Sequence, residues 1–337
     1  MNTISAVPTG TALIVFLNLY LKINGMLRIV LLFAGCALLL FQEYISPFSS
    51  STQFIIFLIG ILLIGVPHGA ADLLVATQNA DSHKKPFSKF RFLAVYVARL
   101  FAFAAILWFF PLAGNVLFIF FAAYHFGETD LYHFKTNSFT GKAFVISYGL
   151  LILSIILLHH FEEVRPLFEM FPAGQEHAEF INWLDANRYN VISVSGILFF
   201  TATFIYFLRN NQADTNDKGQ FLIRFAVILF ILFNLPMLLG FTFYFVVWHS
   251  VLSMQNIVGY LKRNTSHSQT NIIRNIILYS LLAVVGLSLF GLTGFMFVNS
   301  SAMVGYLFLG LAVLTAPHMQ IMHDMYNSLR QQKNIHT

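Results

Sequence analysis

The sequence predicts an all-α fold, a polytopic transmembrane helix bundle of about ten membrane helices. Three observations predict it. Of 337 residues, 58% are hydrophobic and only 10% are charged, against about 25% charged in a soluble domain. The mean hydropathy is +0.73. The apolar runs are continuous rather than alternating, which is the pattern of membrane helices and not of a β-barrel.

The elements follow in chain order. The opening MNTISAVPTGTALIVFLNLYLKING has no basic stretch before its apolar part and no small-residue cleavage site, so no cleaved signal peptide is expected. Its apolar part is short for a span, and the segment 1–25 is expected to lie on the membrane interface. Membrane-length runs then fall at 26–42, 53–78, 92–110, 114–133 and 143–160. Further runs fall at 190–208, 220–237, 241–260, 274–297 and 302–323. No stretch is long enough for a separate soluble domain, so residues 1–337 are expected to form one integral-membrane catalytic domain.

The gaps between runs alternate in charge. KKPFSKFR (Lys84 to Arg91) is basic and PLAGN (Pro111 to Asn115) is uncharged. The long gap at 160–190 is acidic, whereas RNNQADTNDK, LKRNTSHSQTNIIR and the tail carry clustered Arg and Lys. Basic gaps face the cytoplasm, which gives a multi-pass protein of the cell (inner) membrane, with the lipid bilayer as its solvent. The net charge of +5 comes from these scattered gaps and not from a binding patch, so no nucleic acid partner is expected. The single Cys36 excludes an intrachain disulfide.

Against this background certain residues are out of place. His68 lies in GVPHGAADLL, His125 in AAYHFGETDLYHF, His249 in FVVWHSVLSMQ and His318 in LTAPHMQIMH. All four fall on helices of like orientation, roughly 12 to 24 Å down at 1.5 Å per residue. Ionisable groups in a membrane are costly and face the bundle interior, and neutral imidazole is the commonest metal ligand among side chains. Four at one level point to an all-nitrogen site for a redox metal, with Fe(2+) favoured. Zinc would bind, but a closed four-His site leaves it no reaction to perform.

Two carboxylates accompany them. Asp72 lies four residues after His68, and Asp130 five after His125. Each is expected either to take the second ring N–H of a ligating histidine or to hydrogen-bond a neighbouring helix. Pro67 and Pro317 precede histidines directly and would kink the helix there. Phe126, Phe243 and Phe245 are candidates to line a tunnel for a flat apolar substrate. Tyr124 and Trp248, each just before a histidine, read equally as pocket walls or interface anchors. His177, His267 and His336 read as loop residues.

The motifs PHGAAD (Pro67 to Asp72), HFGETD (His125 to Asp130), WHS (Trp248 to Ser250) and TAPHM (Thr315 to Met319) resemble the Brp/Blh family. These are membrane-integral β-carotene 15,15′-dioxygenases. The resemblance implies an iron enzyme that uses O2 to cleave β-carotene centrally into two molecules of all-trans-retinal. It implies His68, His125 and His249 as iron ligands, with His318 a fourth, and a microbial rhodopsin as the acceptor of retinal. The family often has a second histidine four residues after that of the HS motif, where this chain has Ser253. His323, five residues after His318, is a substitute only in number, because it lies about 140° round the helix.

Two rival classes remain. One is another carotenoid- or lipid-directed metal oxidase; its di-iron hydroxylase or desaturase form would carry HxxxH and HxxHH clusters, which the spans lack. A histidine-based metal or proton transporter would show repeated halves with broken helices. The echo between HGAAD and HFGETD does not extend into a half-chain repeat.

Overall fold

The computed structural model describes residues 9–169, 175–210, 215–263, 269–297 and 303–335. Among these the elements are helices and no strand occurs. The chain forms two compact units, residues 1–48 and 49–337. In the first, α1 (Thr9–Leu40) runs into π1 (Phe41–Ile45). There Phe41 stacks on Phe48 and Gln42 accepts the Phe48 N–H. Of the expected interfacial segment, residues 1–8 lie outside the described residues and Thr9 onward is helical backbone.

The second unit opens with α2 (Ser50–Gly60), π2 (Ile61–Gly65), α3 (Val66–Ala70) and α4 (Asp72–Ser82). Next come α5 (Lys89–Phe109), α6 (Pro111–Asp130), α7 (Phe139–Leu158), α8 (Phe161–Glu169) and α9 (Gln175–Arg209). After α10 (Thr215–Asn234) the chain continues as α11 (Met237–Phe241), π3 (Thr242–Ser250) and α12 (Val251–Arg263). It closes with α13 (Gln269–Phe297) and α14 (Met303–Ile335).

Local chemistry explains the boundaries. Ser49, Ser88 and Ser138 each accept a first-turn N–H of α2, α5 and α7, the usual role of a serine N-cap. Pro111 starts α6, where its missing N–H costs nothing. The run at 53–78, expected as one span, is interrupted: π2 adds a wide turn before Pro67, and Ala71 breaks the helix again.

Among the described residues, seven helical stretches are long and apolar enough to cross a membrane: 25–45, 50–82, 89–109, 139–158, 176–209, 237–263 and 270–293. The chain is therefore a multi-pass membrane protein. The other three expected runs fall on α6, α10 and α14. Polar residues dilute these: His125, Glu128 and Asp130 on α6, Asp217 and Lys218 on α10, His318, His323 and Asp324 on α14. Outside the apolar part, Arg188 pairs with Glu162 at 2.8 Å and Arg165 with Asp185 at 3.0 Å, which fastens α8 to the start of α9.

The centre of the unit is α7, buried along most of its length, whereas α5 and α13 turn apolar side chains outward. A β-carbon on Gly127 would overlap the Val145 carbonyl, and one on Gly149 the Ala123 carbonyl. The backbones of α6 and α7 thus touch, as small residues allow in membranes. Gly127→Ala and Gly149→Ala should each destabilise the protein by about 1–3 kcal/mol. Thermal unfolding in detergent would measure this, and unchanged midpoints would contradict the close approach.

Candidate metal centre and substrate cavity

Two of the four histidines sit at breaks in helical regularity. His68 follows π2 and Pro67, and His249 is within π3. Wide turns of this kind are common at functional sites because they re-aim side chains. His125 is on α6 and His318 directly follows Pro317 within α14.

These elements bring the four imidazoles together. Ring centroids are 4.9 Å apart for His68 and His318, and 5.1 Å for His318 and His125. They are 4.8 Å apart for His125 and His249, and 5.7 Å for His249 and His68, which closes a four-sided ring. All four side chains are buried, none more than 4% exposed. Phe126 and Phe245 sheathe His249, and Phe245 also meets the edge of His68.

The ring nitrogens have distinct roles. His68 donates its Nδ1–H to the Gly65 carbonyl, and His318 donates Nδ1–H to Asp72 Oδ1 at 2.7 Å. A carbonyl or carboxylate oxygen can only accept, so both rings carry the Nδ1 proton and keep the lone pair on Nε2. The Nε2 of His318 is buried without a hydrogen-bond partner. His125 and His249 place their Nε2 atoms 3.1 Å apart, and the Nδ1 of each is buried and unpartnered. Buried polar atoms without partners are rare and mark an absent group when they cluster. By donor spacing alone, no set of three or more His, Cys, Asp or Glu among the described residues forms a metal cage. The rings are gathered, two have a fixed tautomer, and the donor atoms are not drawn to coordination distance. The orphaned Nε2 and the all-imidazole chemistry fit a transition-metal cation.

The two carboxylates take up the two alternatives the sequence left open, Asp72 with a histidine ring N–H and Asp130 with neighbouring helices. Asp72 does not serve His68. Both residues face His318, and the Nδ1–H of His68 is already taken by the Gly65 carbonyl. Asp72 instead takes His318 on one oxygen and the Tyr96 hydroxyl on the other, at 3.1 Å. Asp130 Oδ2 accepts from Tyr148 at 2.5 Å, Tyr244 at 3.0 Å and Trp248 Nε1 at 2.9 Å. Five residues place it about 140° round α6 from His125, so it ties α6 to α7 and π3.

The three side chains proposed as substrate lining lie elsewhere. Trp248 faces Asp130, and Phe126 is buried against His249 and Tyr244. Tyr124 packs on His323 and donates to Glu128. His323 bonds Glu128, away from the four-histidine ring. Ser253, at the place of the family histidine, is fully buried and its hydroxyl has no partner. His177 is no loop residue: it is buried on α9 and bonds the Phe168 carbonyl. His267 and His336 lie outside the described residues.

A cavity of about 830 Å³ opens beside the histidines. His68, His125, His318 and Phe245 form one part of its wall, and His249 lies behind them. Phe101, Trp108 and Phe109 of α5 also line it and are more than half exposed, so the mouth is on the apolar exterior. Gly69 and Gly286 line the cavity, and a β-carbon on either meets open space. A channel this apolar, entered from the lipid-facing side, suits a hydrocarbon.

The family model that matches is β-carotene 15,15′-dioxygenase, over residues 59–326. The chain belongs to the β-carotene 15,15′-dioxygenase family. The match covers most of the chain and contains all four histidines with Asp72 and Asp130. No curated protein and no solved structure matches it. Family membership supports carotenoid dioxygenase activity on β-carotene in a membrane.

Sequence reasoning missed Tyr96, Tyr148 and Tyr244. Each hydroxyl lies in an apolar run and binds an aspartate. A phenol within a membrane helix was the available signal, but it is shared with lipid-facing anchors.

Proposed function

We propose that this β-carotene dioxygenase family member cleaves the 15,15′ double bond of β-carotene with O2 at a four-histidine Fe(2+) site. The C=C bond is lost, each carbon gains one oxygen atom, and two all-trans-retinal molecules form. The observation that carries the reading is the juxtaposition of four buried imidazoles with an apolar cavity entered from the lipid side. On this reading His68, His125, His249 and His318 hold the metal. Asp72 and Asp130 support the site at one remove. The three runs at α6, α10 and α14 complete about ten crossings of the cell (inner) membrane, residues 1–337 act as one catalytic domain, and a microbial rhodopsin takes the retinal.

Fe(2+), when bound, supplies the one-electron chemistry that couples triplet O2 to a closed-shell alkene. The chain's own residues do the rest. Gly65 and Asp72 fix the tautomer and rotation of His68 and His318, which leaves both Nε2 lone pairs free to hold the metal. Tyr96 holds the far oxygen of Asp72. The cavity wall excludes water and orients a molecule that has no polar handle. Cutting at the midpoint is therefore a question of where the polyene stops.

Purified protein loaded with Fe(2+) tests the site. One iron per chain is expected, lost in His125→Ala and His249→Ala, with two retinals formed per β-carotene. Stoichiometric retinal formation by protein stripped of iron would contradict the reading. Tyr96→Phe removes only the support of Asp72 and should weaken iron binding or turnover up to about tenfold. In an Asp72→Asn background the Tyr96→Phe substitution should add little. Independent, additive losses would show that Tyr96 acts by another route.

A further inference from the structure

A second cavity, of about 690 Å³, lies on the other side of Tyr96. One stripe of α5 forms much of its wall: Arg91, Phe92, Val95, Tyr96 and Arg99, spaced three and four apart with Ser88 at the head. That spacing is a single helix face. Lys85 and His83, from the basic gap, line it as well. Its character is opposite to that of the substrate cavity.

Arg99 is the anomaly. It lies ten residues into an apolar span that begins at Lys89, about 15 Å along the helix. It is exposed to the cavity, and no ion pair involves it among the described residues. The guanidinium groups of Arg91 and Lys85's ammonium are likewise without an ion pair there. The one carboxylate on the wall, Asp324, accepts from Gln320 and offsets one of the three fixed positive charges. His83 donates to the Asn79 carbonyl. An arginine at membrane depth is costly without a counter-anion, and side chains on a helix lean toward its N-terminus. Arg99 thus leans toward Arg91 and Lys85, on the basic-gap side of the membrane.

We propose that this cavity binds the phosphate of an anionic phospholipid headgroup, held by Lys85, Arg91 and Arg99. Guanidinium groups match phosphate oxygens in charge and geometry. Phe92, Val95 and Ile321 line the same cavity and give the glycerol and acyl portions an apolar wall, which a free phosphate would not use. The proposal is independent of the metal reading.

The test uses purified full-length protein in a neutral detergent, followed by thermal unfolding and native mass spectrometry. Short-chain phosphatidylglycerol, short-chain phosphatidylcholine and inorganic phosphate are titrated separately. Phosphatidylglycerol should bind saturably and raise the unfolding midpoint, with phosphatidylcholine much weaker. Arg99→Gln should weaken the phosphatidylglycerol response about tenfold or more, and Lys142→Gln, in another basic gap, should leave it unchanged. If Arg99→Gln fails to fold, Lys85→Gln with Arg91→Gln carries the same expectation. Equal binding of the two lipids, or a response indifferent to both sets of variants, would overturn the site. Inorganic phosphate binding as tightly as phosphatidylglycerol, with the same Arg99 dependence, would overturn the lipid assignment.

Discussion

Alanine at His318 is expected to reduce retinal formation below detection while the protein still folds and inserts. His318 is the ring whose chemistry is most fully determined. Its Nδ1–H is committed to Asp72 at 2.7 Å and its Nε2 is buried with no partner. Truncation removes a proposed ligand and leaves Asp72 with the Tyr96 hydroxyl as its remaining bond. Asp72→Asn is the graded control. The amide keeps the size but not the charge, so iron affinity or turnover should fall about 10–100-fold rather than vanish. Equal loss in the two variants would mean that Asp72 does more than orient His318. Retention of activity in His318→Ala would remove it from the site.

The second large effect is expected at Asp130, and on stability rather than chemistry. Its Oδ2 collects the Tyr148 and Tyr244 hydroxyls and the Trp248 indole, from two other elements. All three donors and the carboxylate are buried. Asp130→Ala removes the shared acceptor of three buried donors, each bond worth about 1–3 kcal/mol. The sum rivals the stability of the whole fold, so the variant should fail to accumulate in the membrane. Asp130→Asn keeps one acceptor oxygen and should fall between. The check is the amount of membrane-extracted monodisperse protein and its unfolding midpoint. Normal accumulation of Asp130→Ala would show that the tie between α6, α7 and π3 is dispensable.

How much of this could be read in the sequence follows from what lipid penalises. Histidine and aspartate inside apolar runs stand out because the bilayer offers them nothing. His68, His125, His249 and His318 were visible for that reason, and their helices do bring them together. Their individual partners were not visible, because spacing along one helix does not say which residue of a neighbouring helix a side chain meets. The one-turn relation of Asp72 to His68 does bring both against His318, but it does not say which ring the carboxylate takes, and the His68 Nδ1–H goes to Gly65. Asp72 finds His318 instead, 246 positions away, a pairing only tertiary structure sets. Wide turns in π2 and π3 change which side of the helix faces inward. Trp248 therefore supports Asp130 rather than walling the cavity. The cavity wall was the least legible part. It is made by small residues such as Gly69 and Gly286 that leave room, and absence of bulk leaves little trace in hydropathy.

The account's central claim is that the histidine ring beside the apolar cavity cuts β-carotene at its centre. The most direct measurement expresses the intact chain and its His68→Ala variant in a β-carotene-accumulating bacterial host supplied with iron. Pigments are then extracted and quantified by chromatography. The account predicts that the wild type consumes β-carotene and yields retinal as the sole cleavage product, and that His68→Ala, present in the membrane at the same level, yields none. Unchanged β-carotene with the wild-type protein in the membrane, or equal retinal from the variant, would contradict it.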